Sequence, residues 1–296
     1  MIKYEKSYDT MLLLLGGGAL LARSGQAAQA VRTGLALCAE SVVPSLFPFF
    51  VVTALAVRLD AASALQKAAQ PLMGPLFRLR GICALPLLAG ALGGYPTGAK
   101  AAADLFREGA VTAEEAETLL GFCNNCGPAF ILGFVGSTVL QSSRAGLALY
   151  LIHILSALAA GAILCRIRPG LGTPQLPCRL PRAPASLPAA FTSAVSGALG
   201  STLNICAYVL LFQVVTALLP PGLPAFLPGL LEMVGGTAAL HPGRAGFITA
   251  AGILGWGGLC VHCQTMAVTE GLRLRRYWAG KTIQCVLSVL LAAIVS

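Results

Sequence analysis

Seven stretches of this sequence contain no charged residue: Ser41–Val57, Gly81–Ala99, Thr118–Ser143, Ala145–Cys165, Ala183–Leu231, Ala245–Thr269 and Thr282–Ser296. A helix needs roughly 20 predominantly apolar residues to cross a bilayer, and most of these stretches fit one crossing. The chain is 56% hydrophobic and 10% charged, whereas a soluble domain carries about 25% charged residues. Too little polar surface remains to cover a water-soluble globule of 296 residues. The fold class that follows is an all-α polytopic protein of the cell membrane, with the lipid bilayer as one partner. The net charge of +9 then belongs to loops at the headgroups. A nucleic-acid partner is not expected, since that would need a basic face on a polar domain.

Residues 1–29 read as a signal-anchor or first span, with Lys3 and Lys6 ahead of an apolar run. A proline-rich linker over 166–190, carrying Arg166, Arg168, Arg179 and Arg182, separates two halves, 30–165 and 191–296. The halves look related. FFVVTAL at 49–55 recurs as FQVVTAL at 212–218, and AGALG at 89–93 recurs as AGILG at 251–255. The spacing predicts two repeats whose Gly/Pro-broken or re-entrant helices correspond. Residues 61–80 and 100–117 are amphipathic and read as interfacial helices. After a membrane helix near 191–219, the prolines at 220, 221, 224 and 228 predict an irregular or re-entrant segment.

Topology follows from the basic loops. If the linker and segment 58–80 are both cytoplasmic, three crossings between 41 and 165, with Gly81–Ala99 re-entrant, make the halves inverted. If Ala245–Thr269 is re-entrant too, Arg273, Arg275, Arg276 and Lys281 fall outside, against the charge rule.

The stretch GALGGYPTGAK at 90–100 is a helix that stops inside an apolar run. In hydrocarbon every backbone polar group needs a partner, so irregular backbone survives only against protein or a watery cavity. A helix that restarts there presents unpaired N–H groups at its positive end. Gly93, Gly94, Tyr95 and Pro96 are the break, and Lys100 adds a cation. The repeat spacing aligns this stretch with GILGWGGLCVH at 252–262, where Gly257 and Gly258 are the break and His262 falls at the register of Lys100. The expectation is one shared polar cavity receiving Lys100 and His262. The competing reading is that the glycines permit close helix packing while Lys100 snorkels to the interface.

FCNNCGPAF at 122–130 is a second polar island, where Asn124 and Asn125 offer amides beside Gly127 and Pro128. Glu232 and Gln264 complete the candidate solute-binding set. His153 is assigned to helix–helix hydrogen bonding. The pairs Cys123/Cys126 and Cys260/Cys263 have metal-like spacing, but apolar surroundings keep thiols protonated, so they read as packing residues, with no metal and no cofactor expected. No GxSxG, GxxxxGK[ST] or HExxH motif occurs, so an enzyme is not expected.

The run GGYPTGAKAAADLFREGAVTAEEAETLLGFCNNCGPAFILGFVG resembles the signature of YlbJ-type sporulation integral membrane proteins, part of the wider nucleoside-recognition, or Gate, group. The resemblance extends to SVVPSLFPFFVV, PLMGPLFRLRG, LLEMVGG and GWGGLCVHCQT. It implies repeat and hairpin logic similar to concentrative nucleoside transporters, a sporulation role in an endospore-forming bacterium, with the cell membrane or a forespore membrane as its place, and dipicolinate or a nucleoside-like molecule as solute. The expected function is a transporter or facilitative channel for a small polar, anionic solute. A non-transporting assembly or signalling protein is the alternative, and a homo-oligomer is compatible with either.

Overall fold

The computed structural model describes residues 11, 14–58, 61–167, 186–220, 222–224 and 226–296. The expected first span over 1–29 lies partly outside these residues, and most of the 166–190 linker lies outside them. Among the described residues every regular element is helical.

The first long element is a continuous helical run: α1 (Ser24–Leu37), a π-helical segment (Cys38–Val42) and α2 (Val43–Arg58). It lies antiparallel to α8 (Leu187–Ala217). Arg23 donates to Leu218 O, Gly34 meets Leu210, Cys38 lies against Cys206 O, and Phe50 shares a cavity with Gly197. The repeated segments 49–55 and 212–218 therefore point in opposite directions.

α3 (Ala61–Phe77) turns through 89° into Gly81–Cys83, a 3-10 turn that leads into α4 (Ala84–Gly93). The chain breaks at Gly94–Pro96 and returns as α5 (Thr97–Arg107). The two arms touch at Gly90 and Gly98, and both face Cys123 O. A Cβ on Gly90 or Gly98 would lie 1.8 or 2.0 Å from that oxygen, so only glycine fits either position. This is a re-entrant hairpin, as expected for 81–99, although its second arm extends through residues expected to lie at the interface.

α6 (Ala113–Cys123) begins at a capping box, with Thr112 accepting from Glu115 N and Glu115 reaching back to Thr112 N. Glu115 also binds Arg80 through Nε at 2.7 Å, tying the hairpin entrance to the start of α6. The chain then unwinds over 124–127 and continues, from Pro128, as a π-helical segment, Ala129–Val139. α7 (Ser143–Ile167) runs back antiparallel, with Gly146 against Gly136, His153 against Cys126 and Gly161 against Phe122.

After α8, α9 (Phe226–Leu231) and α10 (Met233–Ala238) form a second, shorter hairpin with Glu232 at its tip. Gly229 meets Ile253, and Leu230 O accepts from Trp256 Nε1, so α9 runs alongside α11 (Arg244–Trp256). At Gly257 (φ +91°) the chain bends into α12 (Gly258–Val268). α13 (Arg275–Val295) closes the bundle, parallel to α6 and antiparallel to α11: Gly280 meets Gly121, Cys285 meets Gly252, and Arg244 donates to Ala293 O.

These contacts define two ends. Arg107 donates to Val268 O, Arg276 pairs with Glu114, Arg80 pairs with Glu115, and the ends of α2, α7 and the beginning of α8 lie with them. The first hairpin enters from this end and the second from the opposite one. Among the described residues four helices are long and apolar enough to cross a membrane, or five if the bent pair is one span. Arg244–Val268 is one of them. It is a broken crossing rather than the re-entrant loop considered from sequence, and this corrects the topology. Arg273, Arg275 and Arg276 fall at the same end as Arg78, Arg80, Arg107 and Arg166, and the conflict with the charge rule disappears.

The pairing of 90–100 with 252–262 also fails. α5 and α12 both run from the middle of the bundle to the arginine-rich end, whereas an inverted repeat requires opposite directions. The element opposed in direction to the first hairpin is the α9–α10 hairpin. AGALG and AGILG recur because small residues are needed wherever helices approach closely in lipid.

Candidate solute-binding site

Four backbone interruptions meet at one cavity of ≈ 120 Å³. The first hairpin tip contributes Gly93, Gly94 and Tyr95, and the unwound segment contributes Cys126, Gly127 and Pro128. The second tip contributes Glu232, Met233 and Val234, and the start of α12 contributes Cys260, Val261 and Gln264. The α1–α2 run and α8 close the remaining side with Leu37, Val42, Leu46, Ile205 and Val209. Backbone geometry explains the glycines. Gly94 (φ +83°) sits 3.0 Å, measured from an added Cβ, from Gly127 N, and Gly257 lies against the Tyr95 ring. Tyr95 Oη donates to Leu254 O at 2.9 Å, stitching the first hairpin tip to the end of α11.

Glu232 is the acidic side chain of the cavity. It caps α10 by accepting from Val234 N (2.8 Å) and Gly235 N (2.6 Å), and it accepts from Gln213 Nε2 at 3.1 Å. The carboxylate therefore answers a positive helix end and still faces the cavity. Gln264 donates to Cys260 Sγ.

Behind Tyr95 lies a buried polar cluster. Lys281 Nζ, fully enclosed, donates to Tyr95 Oη (2.9 Å), Gln284 Oε1 (2.8 Å) and Asn124 O (3.3 Å). All three ammonium hydrogens thus have acceptors, none of them a carboxylate. Asn124 Nδ2 donates to Thr265 Oγ1, and Asn125 Oδ1 accepts from Gln284 Nε2. His153 Nε2 accepts from Cys126 N, holding the unwound segment against α7, as its assignment to helix–helix hydrogen bonding anticipates. The unwinding at Asn124 frees the carbonyl that Lys281 uses.

Seven of the residues singled out from sequence thus line the cavity: Gly93, Gly94, Tyr95, Gly127, Pro128, Glu232 and Gln264. Pro96 caps α5 beside Tyr95, and Gly257 and Gly258 form the bend between α11 and α12. Asn124 and Asn125 lie in the cluster behind the cavity wall.

Lys100 and His262 do not meet. Lys100, one turn into α5, pairs with Asp104 at 2.7 Å in a separate cavity. His262 is buried among Trp256, Tyr277 and Trp278, with Nδ1 2.6 Å from Tyr277 Oη. Tyr95 sits in the turn before α5 whereas Lys100 lies inside the helix, and the two line different cavities despite their closeness in sequence. The cation next to the cavity is Lys281, which the sequence reading grouped with the terminal arginines. A legible signal existed: Tyr277, Lys281, Gln284 and Ser288 fall on one face of an otherwise apolar helix, and all four are buried. The two CxxC pairs do not assemble, and no group of metal-binding side chains occurs among the described residues.

The class of protein is therefore a multi-pass integral membrane protein with a central cavity between broken helices. Residues 39–164 match the family model for Gate, nucleoside recognition. Over 133 residues the chain is 36% identical to the sporulation integral membrane protein YlbJ of Bacillus subtilis (strain 168). The alignment covers 45% of this chain and 33% of that protein, so the match spans about a third of the relative's length. No solved structure matches.

Proposed function

We propose that the protein is a transporter or facilitative channel for a small polar solute, built from two inverted halves around the central cavity. The observation that carries this reading is the meeting of two hairpin tips and two helix breaks at one cavity, with the hairpins entering from opposite ends. Broken helices at the centre of repeated halves are a recurring design of secondary transporters. Lys281 behind Tyr95 supports an anionic solute, while Glu232 supplies an acceptor for a donor group on it. The YlbJ match supports a role in sporulation, and the family resemblance supports dipicolinate or a nucleoside-like molecule as the solute. In this reading 30–165 and 191–296 are the halves, the arginine-rich end faces the cytoplasm, and a homo-oligomer is compatible with it.

Uptake of labelled dipicolinate and of labelled nucleosides into proteoliposomes tests the reading. Saturable uptake of either, abolished by Glu232→Ala, is expected. Absence of uptake for both, in a protein that retains its fold, would favour a non-transporting assembly or signalling role.

A further inference from the structure

A second cavity, of ≈ 170 Å³, lies toward the arginine-rich end and is lined by Lys100, Asp104, Arg107 and Glu108 of α5 and its end, Phe50 and Ala54 of α2, and the α8 segment around Gly197. It is more polar than the central cavity. Asp104 bridges Lys100 at 2.7 Å and Arg107 at 2.9 Å, so a carboxylate holds two cations at the cavity wall.

The two cavities lie on one seam. Leu46 lines the central cavity, whereas Phe50 and Ala54 line the second. These residues are spaced four apart, so they stack on one face of α2, about 6 Å per step at 1.5 Å per residue. On α8, Val209 and Ile205 line the central cavity, while Ala198 and Gly197 line the second. Phe50 is 2% exposed and packs in one cluster with Ile205, Val209, Cys260 and Leu46, all of which line the central cavity. Phe50 therefore lines the second cavity and belongs to the same buried cluster as residues that line the central one.

We propose that the second cavity is a solute-binding vestibule, with Phe50 as the gate between it and the central cavity. Its ligand class is a small polar molecule with an anionic group, which would take the place of the Asp104 carboxylate on Lys100 and Arg107. The route runs along the seam between α2, α8 and α5. It deepens the transport reading and rests on it for the direction of solute movement, but not for the existence of the passage.

Native cysteines report the passage. Cys126 and Cys260 line the central cavity, while Cys83 and Cys123 are buried and line neither cavity. The full chain in nanodiscs would be treated with a charged, water-soluble methanethiosulfonate, and modification followed at each cysteine by peptide mass spectrometry. Phe50→Ala should speed modification of Cys126 and Cys260 by about tenfold or more by lowering the cost of opening, with Cys83 and Cys123 unchanged. Unchanged rates at Cys126 and Cys260, or a parallel rise at Cys83 and Cys123, would overturn the gate.

A second variant guards against misfolding. Gly197 has nothing within 4 Å of an added Cβ, so Gly197→Trp can fill the vestibule from a helical position. It should slow modification of Cys260, and an unaltered rate would overturn the passage. Binding is read separately: methylphosphonate at millimolar concentration should protect Cys260 in the parent chain and not in Lys100→Met, and equal protection in both would overturn the vestibule's ligand class. Faster modification in Phe50→Ala without any solute flux would count against transport and leave the passage standing.

Discussion

Lys281 is the residue on which the chemistry of the centre turns. Burying an ammonium costs several kcal/mol even when its hydrogens are paired, and here the acceptors are a phenol, an amide and a main-chain carbonyl. A charge kept without a carboxylate contact at a cavity wall has the signature of function maintained against stability. Lys281→Met is therefore expected to unfold in detergent at a temperature no lower than the parent while losing solute uptake. A large drop in midpoint would make the lysine structural. Its importance was hard to read from sequence because it follows Arg276 closely and looks like the last member of an interfacial cluster. Only the helical register, which turns Lys281 inward with Tyr277 and Gln284, separates it from that cluster. Lys100 shows the opposite error, since proximity to the GGYP break along the chain does not bring its ammonium to the same cavity.

At the level of elements, the breaks were legible and their partners were not. Glycine and proline inside an uncharged run identify a place where a helix stops, because few other residues tolerate the geometry there. That sufficed for Gly93–Pro96, for Asn124–Pro128 and for Gly257. Deciding whether the chain then returns or continues depends on contacts distant in sequence, such as Arg107 with Val268, and no local pattern encodes these. Gly90 and Gly98 clasp the end of α6 so closely that Gly98→Ala should cost about 3 kcal/mol, at the upper range for overpacking. Gly133→Ala, where an added Cβ meets nothing within 4 Å, should be neutral or raise stability by a few tenths of a kcal/mol. Thermal unfolding of both variants in the same detergent checks the contrast, and equal midpoints would mean that the clasp is looser than the geometry indicates.

The whole molecule is organised by its two ends, and charge tells them apart. Arg78, Arg80, Arg107, Arg166, Arg273, Arg275 and Arg276 gather at one end, while Arg23, Arg144 and Arg244 serve the other. Single cysteines placed at His241 and Glu270, in a chain whose native cysteines are replaced by alanine or serine, should react from opposite sides of intact cells, with Glu270 on the cytoplasmic side. Reaction from the same side would restore the re-entrant reading of Ala245–Thr269. The hydrogen bonds at the centre join one half to the other: Tyr95 to Leu254, Asn124 to Thr265, Asn125 to Gln284 and Lys281 back to Tyr95. This has a consequence for biosynthesis. When the ribosome has made only the first 165 residues, the hairpin tip and the asparagines are in the membrane without the groups that satisfy them. The stretch 39–164 that matches the Gate model is thus not expected to fold by itself, and expressed alone it should be cleared by membrane proteases.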